Sequence, residues 1–518
     1  MANNGLPLGL PERICVEGSA ERYLEQLKPS SDLKARAIRG GTVTVLSNGL
    51  ALAIQMGGSI ILARLLTPRD YGLVAMVTTF SLLLQNFGYN GFIEAIIQCG
   101  TITREQLSTL FWINVGLNSL LTLLFVVASP LLAWFYHEPE LRAVSAAVAF
   151  SILFGSLGTQ HLGLLQRNMQ FGIVSLNFVG ATLISLFAAI TMAWFGWGYW
   201  ALVANTLLLP LSTAVGAWLW CGWRPGRPSR KSGVYPMVKF AMHTYGNFCA
   251  NYVGRNLDKF LVGWRFGSAP LGNYKRAYDL FALPVSQLTS PLTGVALAGL
   301  SRLREEPDKY QRNYLKVFSF VAFVGFGLSA LLTVTGKDLV RLLLGPKWDE
   351  AGRLLVYFGP GTGIMLIYST NSWLHLSLGR ADRWFRWGVF EMVATSSLVI
   401  VGLLLGPHGV ALAWSCSFFL LFWPALAYAG QPIGLRFSSI LAAAWKYAVA
   451  ASVAGVLCWF LPVWIKPLGN WLASAGTLVR VVTLTCSLGV LYLMLLLQFA
   501  FSTTLGPILD FLKALKRK

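Results

Sequence analysis

Long apolar runs and short polar interruptions alternate along almost the whole chain. At about 1.5 Å of rise per residue, a helix of about 20 apolar residues crosses a hydrocarbon core roughly 30 Å thick. Read this way, the pattern predicts fourteen spans. The first six fall near residues 42–65, 73–97, 107–128, 141–163, 172–195 and 199–221. Six more fall near 236–263, 271–299, 314–335, 353–378, 385–405 and 409–430, and two near 441–464 and 475–501 close the chain. The fold class expected is an all-α integral membrane protein.

The seventh and eighth spans break the pattern. His243, Asn247, Asn251, Arg255 and Lys259 recur at every fourth position, so one helix presents them as a single stripe, with Asp258 one turn from Arg255. After a break at Arg265 to Gly272, charge resumes with Lys275, Arg276 and Asp279. A charge at mid-bilayer costs roughly 2.5 to 3.5 kcal/mol on insertion scales, so such residues face a bundle interior or a wet cavity. The competing reading is that Arg255 and Asp258 pair within the helix and only lock the fold.

Composition agrees with a membrane setting. Of the 518 residues 55% are hydrophobic and 12% charged, against roughly 25% charged in soluble domains. The net charge of +20 is explained by loops that obey the positive-inside rule, so no nucleic-acid partner is expected. With the N-terminus inside, the cytoplasmic links hold Arg224, Arg227, Arg230 and Lys231, then Arg302, Arg304, Lys309 and Arg312, then Arg380, Arg383 and Arg386. The opposite links at 196–198 and 406–408 hold no Lys or Arg. The exception is 336–353, with Lys337, Arg341, Lys347 and Arg353 on the outer side, which reads as a short interfacial helix with snorkelling cations.

A repeat is visible at an offset of 200 residues: Gly72 falls on Gly272, and Gly91 on Pro291. Gln85 to Asn90 and Ser286 to Ser290 are expected to interrupt the second and eighth spans at matching depths. Two parallel six-helix lobes follow, related by an axis along the membrane normal, with the substrate cavity between them. The organisation expected is a cytoplasmic segment 1–41, an N-lobe 42–221, a basic linker 222–235, a C-lobe 236–430, two further helices in 431–503 and a basic cytoplasmic tail 504–518. The positions matching Asn247, Asn251 and Arg255 are Ser47, Ala51 and Gln55, so charge concentrates on the C-lobe wall, which suits an anionic group such as a phosphate. The cavity residues proposed are Arg255, Asp258, Lys259, Asn251, Asn247, Lys275 and Arg276, with Gln55, Asn86 and Asn90 from the N-lobe.

Other chemistry finds little support. The five histidines form no local motif, the seven cysteines include no Cys-x-x-Cys pair, and no phosphate-cradling loop is present, so neither a metal, a cofactor nor direct ATP hydrolysis is expected. Tryptophans near span ends, such as Trp134, Trp264 and Trp464, suit interfacial belts.

Ile61-Leu62-Ala63-Arg64-Leu65-Leu66-Thr67-Pro68-Arg69-Asp70-Tyr71-Gly72 and Gln85-Asn86-Phe87-Gly88 resemble the opening of Wzx-type polysaccharide flippases. Arg255-Asn256-Leu257-Asp258-Lys259, Gly272-Asn273-Tyr274-Lys275-Arg276-Ala277-Tyr278 and Leu300-Ser301-Arg302-Leu303 resemble the start of their second lobe. The likeness covers about residues 35–440 and is nearest the colanic-acid-exporter type of the multidrug, oligosaccharidyl-lipid and polysaccharide exporter superfamily. It implies a non-enzymatic transporter of the bacterial inner membrane that moves undecaprenyl-pyrophosphate-linked repeat units. The partners implied are that lipid-linked oligosaccharide, membrane lipid, and the polymerase and glycosyltransferases of the same pathway. A polymerase or ligase would need a long outer catalytic loop, and a drug or cation antiporter an acidic cavity. Both fit less well.

The charge asymmetry places both termini and the linker Gly222 to Gly233 in the cytoplasm. In a cysteine-free background, a cysteine at Ser229 should resist an impermeant thiol reagent in intact cells and react once the membrane is opened. Labelling in intact cells would reverse the orientation.

Overall fold

A computed structural model describes residues 32–99 and 101–499. The N-terminal segment to residue 31 and the basic tail 504–518 lie outside the described residues, as do the side chains of Asn90, Asn247 and Asn251. The chain is a succession of helices: α1 (Asp32–Leu65), α2 (Pro68–Gln98), α3 (Arg104–Tyr136), α4 (Leu141–Arg167), α5 (Phe171–Trp194) and α6 (Trp200–Cys221). There follow α7 (Tyr235–Phe266), α8 (Ser268–Ser301), α9 (Pro307–Leu344), α10 (Asp349–Tyr368), α11 (Asn371–Ser377), α12 (Ala381–Gly402) and α13 (Gly406–Gly430). The last described are α14 (Phe437–Trp464), α15 (Lys466–Ser474) and α16 (Thr477–Phe499).

Eleven stretches among the described residues are long and apolar enough to cross a membrane, and one of them, Ala381–Ile433, contains both α12 and α13. The expectation of fourteen spans is compatible with this. The two expected spans missing from those stretches are α7 and the α10–α11 segment, the first because of its polar stripe. Two sequence-based expectations are corrected. Helices α2 and α8 are not interrupted at 85–90 or 286–290: each is one continuous helix, and α8 carries Pro284 and Pro291 inside it. Hydroxyls in that stretch donate back to its own carbonyls, Ser286 Oγ to Leu283 and Thr289 Oγ1 to Val285, so they are satisfied within the helix. Nor is 336–353 a separate interfacial helix. Residues 336–344 continue α9, whose buried face runs through Leu332, Val340 and Leu344 to the first breaker, Gly345, at φ 97°.

The chain groups into two compact units, one holding Leu73–Val253 with the segment up to Leu66, the other holding Thr67–Gly72 with everything from Gly254 onward. In the first, a core of Phe87, Phe92, Leu107, Phe111, Leu164 and Trp223 receives the first half of α7 through Met237 and Ala241. Polar contacts join its helices where lipid offers no hydrogen bonds: Asn114 Nδ2 donates to the Ser156 carbonyl at 3.2 Å, and Asn177 Nδ2 to that of Thr213 at 3.0 Å. The basic linker is tied to α3, with Trp112 Nε1 donating to the Gly226 carbonyl at 2.8 Å and the Ser229 amide to Thr109 Oγ1 at 3.0 Å.

In the second unit α10 is the central helix, fully buried at Leu355, Phe358 and Ile367. Its small residues let neighbours approach to backbone contact: Gly359 meets Thr333 and Gly363 meets Gly325 on α9, while Gly361 meets Ser415 on α13. The start of α2 belongs here as well. Thr67 caps it, its amide donating to Asp70 Oδ2 at 2.8 Å and its Oγ1 accepting from the Asp70 amide at 3.3 Å, a capping box with Pro68 as first helical residue. A Cβ on Gly72 would collide with the carbonyl of Ser268, and one on Gly272 with the carbonyl of Pro68. Since 268 is 68 plus 200 and 272 is 72 plus 200, this contact maps onto itself when the two repeats are exchanged.

Gly72→Ala and Gly272→Ala should therefore each destabilise by about 1 to 3 kcal/mol or more, the usual cost of overpacking. Gly299→Ala, with open space around its Cβ, should not. Thermal unfolding in detergent checks the contrast.

Candidate functional site

Gly267, at φ 85°, is the only break between α7 and α8, and it turns the chain back on itself as a hairpin. The hairpin sets Asp258 and Lys259 against Tyr274 and Tyr278. Asp258 is 2% exposed; its Oδ2 accepts from the Tyr274 hydroxyl at 2.8 Å and from Trp414 Nε1 on α13 at 2.9 Å. Its Oδ1 is buried and has no hydrogen-bond partner among the described residues. Lys259, 8% exposed, donates from Nζ to Asn256 Oδ1 at 3.0 Å and lies 4.1 Å from the centre of the Tyr278 ring. Tyr278 packs edge-on to Trp414 and Phe358, so the two ionisable groups are walled by aromatic rings. A carboxyl and an ammonium in such a place are sustained by specific donors and a π face, since isolated burial of either costs several kcal/mol. From the turns at Gly267 and Gly406, Asp258 and Trp414 lie nine and eight residues along their helices, about 12 to 14 Å in.

Arg255 behaves differently. Its side chain is exposed, and no ion pair joins it to Asp258 among the described residues. Arg255 still lies within electrostatic reach of Glu391 on α12, whose carboxyl meets the Tyr368 hydroxyl. Twelve residues from Gly267, it sits about 18 Å along α7 from the turn. The charges at the start of α8 form a third group. Lys275 pairs with Asp279 at 2.8 Å, while the Arg276 guanidinium stacks 3.9 Å from the centre of the Tyr71 ring, itself edge-on to Trp348. The segments Pro68–Gly72 and Gly272–Tyr278 thus meet in one structural joint.

The structure therefore brings Asp258 and Lys259 together, leaves Arg255 exposed on the same helix, and ties Arg276 to Tyr71. Gln55 is half-buried in the first unit, where Asn86 Nδ2 donates to the Leu82 carbonyl of its own helix at 2.7 Å. Asn90, Asn247 and Asn251 have no described side chains. The sequence reading missed Trp414 and Glu391. Both carry a signal: Glu391 is a lone acid within the apolar Val389–Ala394, and Trp414 lies too deep in its span for an interfacial belt.

An all-α bundle whose least apolar long helix carries a buried carboxyl, a buried ammonium and an exposed guanidinium is the architecture of a polytopic transporter. The chain belongs to the family of polysaccharide biosynthesis proteins, whose model matches residues 61–353. It is 22% identical over 389 residues to the lipopolysaccharide biosynthesis protein WzxC of Escherichia coli K12, covering 74% of this chain and 78% of the relative. It is 28% identical over 324 residues to the teichuronic acid biosynthesis protein TuaB of Bacillus subtilis 168, covering 60% and 67%. Among solved structures, the lipid II flippase MurJ in an inward closed conformation shares the fold, with a TM-score of 0.69 at 15% identity over 88% of this chain and 98% of that one.

Removing the Asp258 carboxyl strands two buried donors, each worth about 1 to 3 kcal/mol. Asp258→Ala should lower the melting temperature and membrane abundance more than Trp414→Phe, which removes one bond and leaves Tyr274 in place. Equal melting temperatures for Asp258→Ala and wild type would show that the carboxyl holds nothing.

Proposed function

We propose that the chain is a flippase that carries oligosaccharide repeat units, linked through pyrophosphate to a polyprenyl lipid, across the bacterial inner membrane. The observation that carries this reading is Arg255, an exposed guanidinium about 18 Å along α7. At that depth a charge facing lipid is costly, so Arg255 faces a wet cavity and is available to an anion. Guanidinium offers a planar fork of donors that matches two phosphate oxygens at once. Lys275, half-exposed near the start of α8 and paired with Asp279, is a second cation towards the outer end of the hairpin, and Asn247 and Asn251 would extend the polar wall.

Family membership supports the reading, and the names of WzxC and TuaB attach those relatives to lipopolysaccharide and teichuronic acid biosynthesis. MurJ is a lipid II flippase by its title, and this chain shares its fold. The basic character of the exposed groups on α7 and α8 counts against a cation antiporter. Glycosyltransferases that build the repeat unit, and a polymerase that joins it, are the protein partners of such a carrier.

A deletion strain should accumulate single lipid-linked repeat units on the cytoplasmic leaflet. Arg255→Lys should restore part of the export and Arg255→Ala little, a loss of about 10- to 100-fold for hydrogen bonds to a charged group, with both variants at wild-type abundance. Accumulation on the outer leaflet would instead indicate a polymerase, and full export by Arg255→Ala would remove Arg255 from the substrate path.

A further inference from the structure

The cations that defy the positive-inside pattern lie at one end of α9 and α10, and the transport reading does not use them. Two of them, Lys337 and Arg353, line a cavity of about 770 Å³ together with Asp338, His408, Trp459 and Arg480. Three cations line it against Asp338 and the neighbouring Glu350, a net +1 with histidine neutral. Arg480 and Asp338 pair at 3.2 Å, and Glu350, just outside, holds Arg353 at 3.3 Å and His408 at 3.1 Å. Lys337 is exposed and makes no ion pair among the described residues. The cavity is therefore an electropositive pocket with one uncommitted ammonium.

A second cavity, of about 510 Å³, shares Val334 and Trp459 with the first. Its walls are Phe326, Ala330, Ala451, Gly455, Val456 and Phe460 from α9 and α14. Two of the three hydroxyl side chains that line it are committed to backbone, Ser329 to the Pro360 carbonyl at 3.0 Å and Thr333 to that of Ser329 at 2.7 Å, so apart from Ser452 its surface is apolar in effect. Gly455 leaves this part of the wall without a side chain, and a Cβ there would make only ordinary contact with Ala330 and Val334, at 3.6 and 4.0 Å. Both volumes are in the roughly 300–1,000 Å³ range of ligand sites.

We propose that the two cavities form one groove for an anionic bilayer phospholipid, its phosphate at Lys337 and Arg353 and an acyl chain along α9 and α14. Charge complementarity selects the phosphate, and length selects the bilayer lipid. From Phe326 to Lys337 the groove follows eleven residues of α9, about 16 Å, which matches one leaflet of a hydrocarbon core roughly 30 Å thick. A longer polyprenyl chain would not be contained. Lys337 lies seven residues from the end of α9, beside Trp459, and the exposed Val453 and Val456 on α14 would face the hydrocarbon from which the chain enters. This inference does not depend on what the chain transports.

Binding of fluorescent phosphatidylglycerol and phosphatidylcholine to the purified full-length protein in detergent tests it. Wild type should prefer phosphatidylglycerol. The double change Lys337→Ala with Arg353→Ala, at two exposed side chains, should cut that affinity about thirtyfold, the loss expected for two cations, and leave phosphatidylcholine unchanged. Gly455→Leu, which fills the apolar part, should weaken both lipids, with thermal unfolding confirming a folded protein. Equal affinities in wild type, or no effect of the double change, would overturn the headgroup site. Displacement by inorganic phosphate at the same concentration would reduce it to an ion site, and tighter binding of polyprenyl phosphate would overturn the assignment to a bilayer lipid.

Discussion

The second unit depends on one buried carboxyl held by neutral donors. Asp258 gathers Tyr274 from α8 and Trp414 from α13 onto α7, so a single oxygen ties three helices at a depth where each donor would otherwise be stranded. Within a bilayer this matters more than apolar burial, because lipid tails are as hydrophobic as leucine and give helices no reason to leave them. Specific association must then come from close packing and from polar groups with nowhere else to go. The α9–α10–α13 contacts supply the first through Gly359, Gly361 and Gly363, and Asp258 supplies the second.

That division explains why neighbouring charges on α7 have different fates. Asp258 and Arg255 are three residues apart, within reach of an intrahelical pair, yet the carboxyl spends its accessible oxygen on two neutral donors. Lys259 is met by Asn256 and the Tyr278 ring. Arg255 is thereby left to another partner. Of the two readings the stripe permitted, the intrahelical lock finds no ion pair among the described residues, and the lock that does exist is aromatic.

How much of this was legible in the sequence follows from what periodicity can encode. Apolar runs fixed helix positions to within a few residues, because span length is set by the bilayer and not by partners. Breaks were misread. Ser286 to Ser290 between two prolines looks like an interruption, but its Ser286 and Thr289 hydroxyls bond to carbonyls of their own helix, which runs on through both prolines. The 336–353 segment was misread for the converse reason: charge density suggested an interface helix, while the burial of Val340 and Leu344 that keeps it part of α9 needs the neighbouring helices to be seen. The α7 stripe identified the polar helix, yet periodicity alone could not say that Asp258 points into aromatic rings while Arg255 is exposed. Trp414 is 156 residues from Asp258, a pairing no local pattern contains.

The repeat constrains the fold in a further way. Pro68 to Gly72 and Ser268 to Gly272 pack reciprocally, each glycine admitting the other segment's carbonyl. A contact that is its own image places the same demand on both copies, so neither glycine can acquire a side chain without disturbing the other's helix start. The surrounding residues are under no such symmetry. Tyr71 and Arg276 stack without occupying equivalent positions, since 71 plus 200 is Leu271 and 276 minus 200 is Met76. The duplicated glycines keep the joint close, and the unduplicated charges on α7 and α8 make the second copy chemically distinct. For the carrier proposed above, a close joint shared by the two repeat segments would serve packing, while a polar stripe on one of them would leave room for an anion's partner.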